Sequence, residues 1–156
     1  MTRTMIAAAG LAWVLGSAPA PAIELSETVT VPGAPNAVWA EIGGFCDIAA
    51  WHDAVADCAQ DEADGTARRT LTLEGGGTIL EERTEAGETS YAYVILESPL
   101  PVADYASRFT AQADGDGTRL TWEGTFDAEG ATEDEAEATI RGIYRSGLDA
   151  IAAMME

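Results

Sequence analysis

Lysine is absent from this 156-residue chain, and all eight of its basic residues are Arg. They stand against 27 acidic residues, for a net charge of −19 at pH 7. A surface this negative repels phosphate backbones, which excludes nucleic-acid binding, and it repels anionic membrane surfaces as well. A general solubility surface accounts for the charge more readily than a dedicated basic partner, although a cationic partner would be attracted to it. Histidine occurs once, at His52, and cysteine twice, at Cys46 and Cys58. That leaves no zinc-ligand spacing. A single histidine without a Ser-centred elbow leaves no hydrolase triad. The glycines at 75–77 join two extended stretches and do not open a helix, so they form no phosphate or dinucleotide loop. Asp114–Gly117 has two carboxylates in a turn but lacks the distal Glu of a calcium loop. No metal and no cofactor is implied.

A long apolar run is also missing: Met5–Leu15 falls well short of the roughly 20 residues that a membrane helix needs, so no stable membrane anchor is expected. Arg3, that run, and the small residues Ala18, Ala20 and Ala22 have instead the layout of a secretory signal peptide. Cleavage after Ala22 would leave residues 23–156 as the mature domain, with residues 1–22 removed, and would make the protein periplasmic. No cysteine follows the run that could carry a lipid. In an oxidising compartment an even cysteine count favours a Cys46–Cys58 disulfide over two separate buried thiols. Such a bond would stabilise the fold by about 3 kcal/mol by restricting the unfolded chain.

What the chain has in quantity is amphipathic pattern. From Thr132 to Met155, the residues Ala136, Ile140, Ile143, Tyr144, Leu148, Ile151 and Met155 recur at steps of three and four, which puts them on one helix face. Thr132 and Glu135 form a capping box, and Glu133 and Asp134 suit the positive end of the helix dipole. At 1.5 Å per residue this helix is about 36 Å long, enough to cross a small domain. Strands are expected at Ile23–Val31, Ala54–Cys58, Ala67–Leu73, Thr78–Thr84, Ser90–Glu97, Asp104–Ala113 and Thr118–Asp127, from period-two alternation between turn residues. Two short helices, Asn36–Ile42 and Phe45–Trp51, lie between the first two strands, and Asp61–Gly65 reads as a polar turn. One long helix on a single antiparallel sheet is an α+β arrangement in one domain.

Several residues break the apolar pattern and become candidates for a site. Arg69 shares strand parity with Leu71 and Leu73, and Glu81 shares it with Ile79. A three-residue loop at 75–77 would bring Arg69 near Glu81 or Arg83. A buried charge needs a partner, so an Arg69–Glu81 pair is either a structural clamp or a ligand anchor. Tyr91 and Tyr93 share a face, Tyr105 begins the next strand, and Trp122 aligns with Leu120 and Phe126. Rings with polar tips suit a mostly apolar pocket, with Tyr93 and Tyr105 the better pocket candidates and Trp122 and Phe126 closer to ordinary core. His52, beside Trp51, could move a proton, but a helix-end residue bonded to backbone is the weightier reading.

The element order and four stretches, VWAEIGGFCDIAAWHDAVADC, ARRTLTLEGGGTILEERTE, YAYVILESPLPVADY and LTWEGTFD, resemble the START-like (SRPBCC) superfamily, specifically its bacterial polyketide cyclase/dehydrase-like branch. That branch includes exported relatives associated with periplasmic methanol oxidation, and the resemblance covers residues 24–154. It implies the Bet v 1-like helix-grip fold: a curved seven-stranded antiparallel sheet wrapped around the C-terminal helix, with two short helices after the first strand. It also implies a ligand cavity with His52 near the mouth, and it favours Arg69 and Glu81 as an anchor; with the residues read above, the candidate ligand-binding set is Trp51, His52, Arg69, Glu81, Tyr93, Tyr105, Trp122 and Tyr144. Binding of a small hydrophobic or amphipathic molecule ranks first. An accessory role to a periplasmic oxidoreductase, with a protein partner, ranks second. A cyclase- or dehydratase-like enzyme ranks third, for want of a compact acid/base constellation. The superfamily hosts all of these on one scaffold. For the leader, N-terminal sequencing of exported protein is expected to read from Ile23; a start at Met1 would contradict export with cleavage.

Overall fold

The computed structural model describes Gly16 and residues 18–156; the apolar run Met5–Leu15 lies outside the described residues. Ten elements follow in order: β1 (Ile23–Pro32), α1 (Pro35–Ile42), α2 (Ile48–Trp51), β2 (Val55–Ala63), β3 (Thr66–Leu73), β4 (Thr78–Ala86), β5 (Ser90–Glu97), β6 (Val102–Asp114), β7 (Gly117–Ala128) and α3 (Glu133–Met154). The seven strands make one antiparallel sheet in the order β1-β7-β6-β5-β4-β3-β2. The sheet curves around α3, and α1 and α2 close one end of the space between them. This is the helix-grip architecture.

The grip follows from the α3 sequence. Ala136, Ile140, Tyr144, Gly147, Leu148 and Ile151 are buried against the sheet, and Thr132 and Glu135 form the reciprocal capping box. Ile143 is only half-buried because it faces a cavity. One buried acid had no signal beyond its strand parity. Glu27 lies on the inner side of β1 with Leu25 and Val31, and it takes Arg141 and Arg145 from α3 as ion partners. The pairing satisfies a carboxylate that would otherwise be stranded under the helix. Gly147 sets how closely α3 approaches. A Cβ there would stand 2.8 Å from His52 Cδ2 and from Trp122 Cζ3, and 3.0 Å from Trp51 Cζ3.

Most boundaries shift by a residue or two, and two shifts are larger. The segment Phe45–Trp51 is helical only from Ile48. The Asp47 carboxylate accepts the Gly44 N–H at 2.7 Å, which closes a turn over 44–47, and the Phe45 carbonyl is taken by a side chain from the sheet. The expected turn at Asp61–Gly65 shrinks to Asp64–Gly65, because β2 runs on to Ala63. Both turn residues have positive φ, 52° and 78°, the conformation of a tight two-residue hairpin. Asp61 and Glu62 are exposed on β2, an edge of the sheet, where charge discourages further strand pairing. The disulfide is present: Cys46, in the turn ahead of α2, bonds Cys58 on β2 across a Cα–Cα distance of 5.5 Å.

Two glycines of α3 should respond to substitution with opposite signs. Gly147→Ala would drive a methyl into three rings, an overpacking expected to destabilise by about 1–3 kcal/mol. Gly142 is exposed with nothing near its would-be Cβ, so Gly142→Ala should stabilise by about 0.5–1 kcal/mol through helix propensity. Urea titration of both variants checks this, and stabilisation by both would mean that α3 does not seat this tightly.

Candidate functional site

The curvature leaves a partly open cavity of about 400 Å³ between the inner face of β3–β5 and α3. Its wall is mainly aliphatic, with Leu71 and Ile79 from the sheet and Ile140 and Ile143 from α3, and its mouth lies at Leu73–Gly76 and Leu100. Besides Glu74 at the rim, the polar side chains that reach the wall are His52, Glu81, Tyr93, Tyr105 and Trp122. A broader groove on the other face of the sheet is lined by Glu24, Ser26, Thr84, Arg108 and Glu123. It is open to solvent and lacks the enclosed apolar wall that small-molecule sites share.

Arg69 and Glu81 are direct cross-strand partners on β3 and β4. The link from Leu73 to Thr78 holds four residues, Glu74–Gly77, so Glu81 rather than Arg83 falls opposite Arg69. Arg69 Nε donates to Glu81 Oε2 at 2.5 Å, and Nη1 donates to the Phe45 carbonyl at 2.5 Å and, at 3.5 Å, to the Tyr91 hydroxyl. Arg69 is fully buried, and its Nη2 has no hydrogen-bond partner among the described residues. Rings compensate in part, since the guanidinium carbon lies 4.3 Å from the centroid of Phe45 and 5.0 Å from that of Tyr93. Burial works against the arginine's charge, but Glu81, Tyr91 and Tyr93 more than offset it and raise its pKa. Burial also pushes the Glu81 carboxyl upward, with Arg69 pulling the other way.

The aromatic floor of the cavity is tied by hydrogen bonds. The Tyr93 and Tyr105 hydroxyls lie 3.3 Å apart, those of Tyr105 and Tyr144 2.5 Å, and Tyr144 meets Ser107 at 3.0 Å. Trp122 Nε1 donates to Tyr93 at 3.0 Å and to Ser107 at 3.1 Å. The Trp122 ring stacks on Tyr144 with centroids 4.5 Å apart, and Tyr105 stacks on Phe126. A Cβ on Gly124 would fall 2.3 Å from the Tyr144 hydroxyl, so only glycine leaves that hydroxyl its place. His52 is fully engaged with backbone. Its Nε2 donates to the Ile143 carbonyl at 2.9 Å, and its Nδ1 accepts the Ala54 N–H at 3.2 Å. Burial lowers its pKa against the raising effect of that carbonyl, so the ring is neutral at pH 7 and holds α2 to α3.

Of the residues singled out from sequence, His52, Glu81, Tyr93, Tyr105 and Trp122 come together on the cavity wall. Trp51, Arg69 and Tyr144 are packed behind it. Trp51 donates from Nε1 to the Ile42 carbonyl and lies edge-on to Trp122. Arg69 is screened by Glu81 and by the rings of Phe45, Tyr91 and Tyr93. Tyr144 is beneath Trp122. Two contributors escaped the sequence reading. Ser107 has the inward parity of Tyr105 and Phe109, a usable signal. Phe45 acts through its carbonyl, which no sequence pattern reports.

Residues 22–156 match a protein family described as polyketide cyclase / dehydrase and lipid transport. No curated protein matches the chain. Among solved structures, the protein XoxI from Bacillus cereus is 26% identical with a TM-score of 0.78, over 85% of this chain and 94% of that one. A protein from Nitrosospira multiformis is 23% identical with a TM-score of 0.74, over 86% of this chain and 97% of that one. The Zhui aromatase/cyclase from Streptomyces sp. R1128 is 19% identical with a TM-score of 0.69, over 86% and 93% of the two chains. The last two likenesses are of fold.

Breaking the Arg69–Glu81 pair from one side should be far worse than removing it whole. Arg69→Met leaves a buried carboxylate alone and is expected to destabilise by about 3–5 kcal/mol. Arg69→Met combined with Glu81→Gln should recover most of that loss. Urea unfolding of the two single variants and the double variant measures the coupling. Additive effects would show that the two side chains do not depend on one another.

Proposed function

The chain belongs to the polyketide cyclase / dehydrase and lipid transport family, and on that premise we propose that it binds one small, mostly apolar molecule between the sheet and α3. The observation that carries this reading is the partly open 400 Å³ cavity, whose aliphatic wall is interrupted by a few convergent polar groups. A volume of this size takes a substituted single ring or a short fatty chain. We further propose that the protein works after export, in the periplasm. The disulfide supports this, since such bonds persist in oxidising compartments, and so does the signal-peptide layout of residues 1–22.

Catalysis is the weaker reading. A cyclase or dehydratase needs a base and an acid that can exchange protons with substrate. Both nitrogens of His52 are committed to backbone. The tyrosine hydroxyls are bonded to one another, and burial raises the pKa of each. Of the two carboxylates that line the cavity, Glu81 is paired with Arg69 and Glu74 lies at the exposed rim, and among the described residues no acid faces either across the wall.

A thermal-shift screen of small aromatic and fatty alcohols, ethers and acids tests the binding reading. A ligand at 100 times its Kd should add about 2.7 kcal/mol, on the order of 8–12 °C in Tm for a domain of this size. Ile143→Trp, which fills the cavity from its half-buried side, should keep the fold and abolish the shift. No shift from any compound would overturn cavity binding and leave a protein partner for the acidic surface as the reading to pursue.

A further inference from the structure

The protons of the aromatic floor can be placed by elimination. The Glu123 carbonyl can only accept, so Ser107 donates its hydroxyl proton there, at 2.7 Å. Ser107 must therefore accept from Tyr144. Tyr144, its proton committed, accepts from Tyr105, and Tyr105 in turn accepts from Tyr93. Trp122 Nε1, which can only donate, starts the chain at the Tyr93 oxygen. Every proton thus runs one way, from Trp122 to the Glu123 carbonyl, and none is left over. Burial keeps the tyrosines protonated, with Tyr144 pushed up to about 12 and Tyr93 and Tyr105 raised well above their ordinary value. His52 has no free proton either, because its single N–H is held by Ile143.

Among the described residues, the side chains of the wall therefore meet a ligand with lone pairs alone: the Glu81 carboxylate, the Tyr93 and Tyr105 oxygens and, at the rim, the Glu74 carboxylate. Resting on the reading that the cavity binds a small apolar molecule, we propose that it selects ligands bearing a hydrogen-bond donor, phenols and alcohols, and rejects carboxylates and acceptor-only molecules. Tyr144, which lies behind the wall, acts as a positioning residue that sets this selectivity by taking the proton of Tyr105. A carboxylate would face Glu81 with no donor to receive it, since Arg69 is held behind Glu81 and is fully buried. A ketone or ether would leave its oxygen unpaired in an apolar space.

Calorimetric titration of the folded chain at pH 7.5 with 4-butylphenol, its methyl ether and 4-butylbenzoate tests the rule. The phenol is expected to bind about tenfold tighter than the ether, with the benzoate weaker still. In Tyr144→Phe the Tyr105 proton loses its acceptor and turns to the cavity. Affinity for 4-butylacetophenone, an acceptor, should then rise about fivefold or more while that for the phenol changes little. Ser107→Ala strands the Tyr144 proton instead, which favours reversal of the chain, Tyr144 donating to Tyr105 and Tyr105 to Tyr93, so that the Tyr93 proton turns to the cavity; it serves if Tyr144→Phe does not fold. Ether or benzoate binding as tight as phenol binding overturns the donor rule and leaves cavity binding standing. Unchanged selectivity in folded Tyr144→Phe or Ser107→Ala overturns the role of the chain. No binding by any of the compounds overturns the cavity reading and this inference together.

Discussion

A guanidinium with no surface in water has to be compensated from several directions at once, and Arg69 draws those directions from across the chain. Glu81 comes from the neighbouring strand, the Phe45 carbonyl from the turn between α1 and α2, and the ring faces from Phe45, Tyr91 and Tyr93. The turn that supplies Phe45 is pinned in its own right, through the adjacent Cys46–Cys58 bond to β2. The closed end of the grip, the edge of the sheet and the middle of the sheet thus meet on one cation. An ion pair of this kind gains little net stability over an apolar substitute; what it does here is join the turn at Phe45 to β3 and β4 through one side chain.

The same logic extends along the aromatic floor. Three tyrosines, a serine and a tryptophan are buried with their polar atoms paired among themselves and terminated at a backbone carbonyl. A buried network that is fully satisfied rigidifies its surroundings, whereas a half-satisfied one is worse than none. Gly124 and Gly147 are the steric conditions for it. One leaves room for the Tyr144 hydroxyl, and the other lets Trp122, Trp51 and His52 close onto α3. Those two positions cannot carry a side chain without moving a member of the network.

How much of this was legible in the sequence differs by level. The long helix with its cap, the seven strands and the Arg69–Glu81 partnership are written in short-range periodicity and strand parity, and they appear in the structure with boundaries shifted by a few residues. The turn at Asp64–Gly65 was masked because an exposed acidic edge strand has the composition of a loop. The direction in which Arg69 faces was not legible. Strand parity told that its side chain goes inward, but not that Glu81 stands between it and the cavity. Trp51 and Tyr144 were displaced from the wall for a similar reason: an inward ring can lie in a second layer, and layering depends on neighbours far apart in sequence. Ser107 was within reach of parity, yet a lone serine among aromatics gives no sign that it ends a chain of hydroxyls. Phe45 contributes a carbonyl, and every residue has one.

The two ends of the cavity are built differently, and this bears on what kind of selectivity the fold can support. The floor is fixed by an ion pair, stacked rings and ordered hydroxyls. The mouth is formed by Leu100 in a proline-bounded link and by Glu74–Gly76, where side chains at Gly75 and Gly76 would meet only open space and Gly76 has φ +91°. The rim is thus glycine backbone free of side-chain packing. A molecule entering from this side meets loose steric demands first and exacting polar ones last. Aliphatic residues along the wall can change the size of what fits without touching the ordered protons beneath. On the proposed binding reading, the shape of what fits is set by the wall and its hydrogen-bonding character by the floor, where a single substitution has to be compensated by several partners.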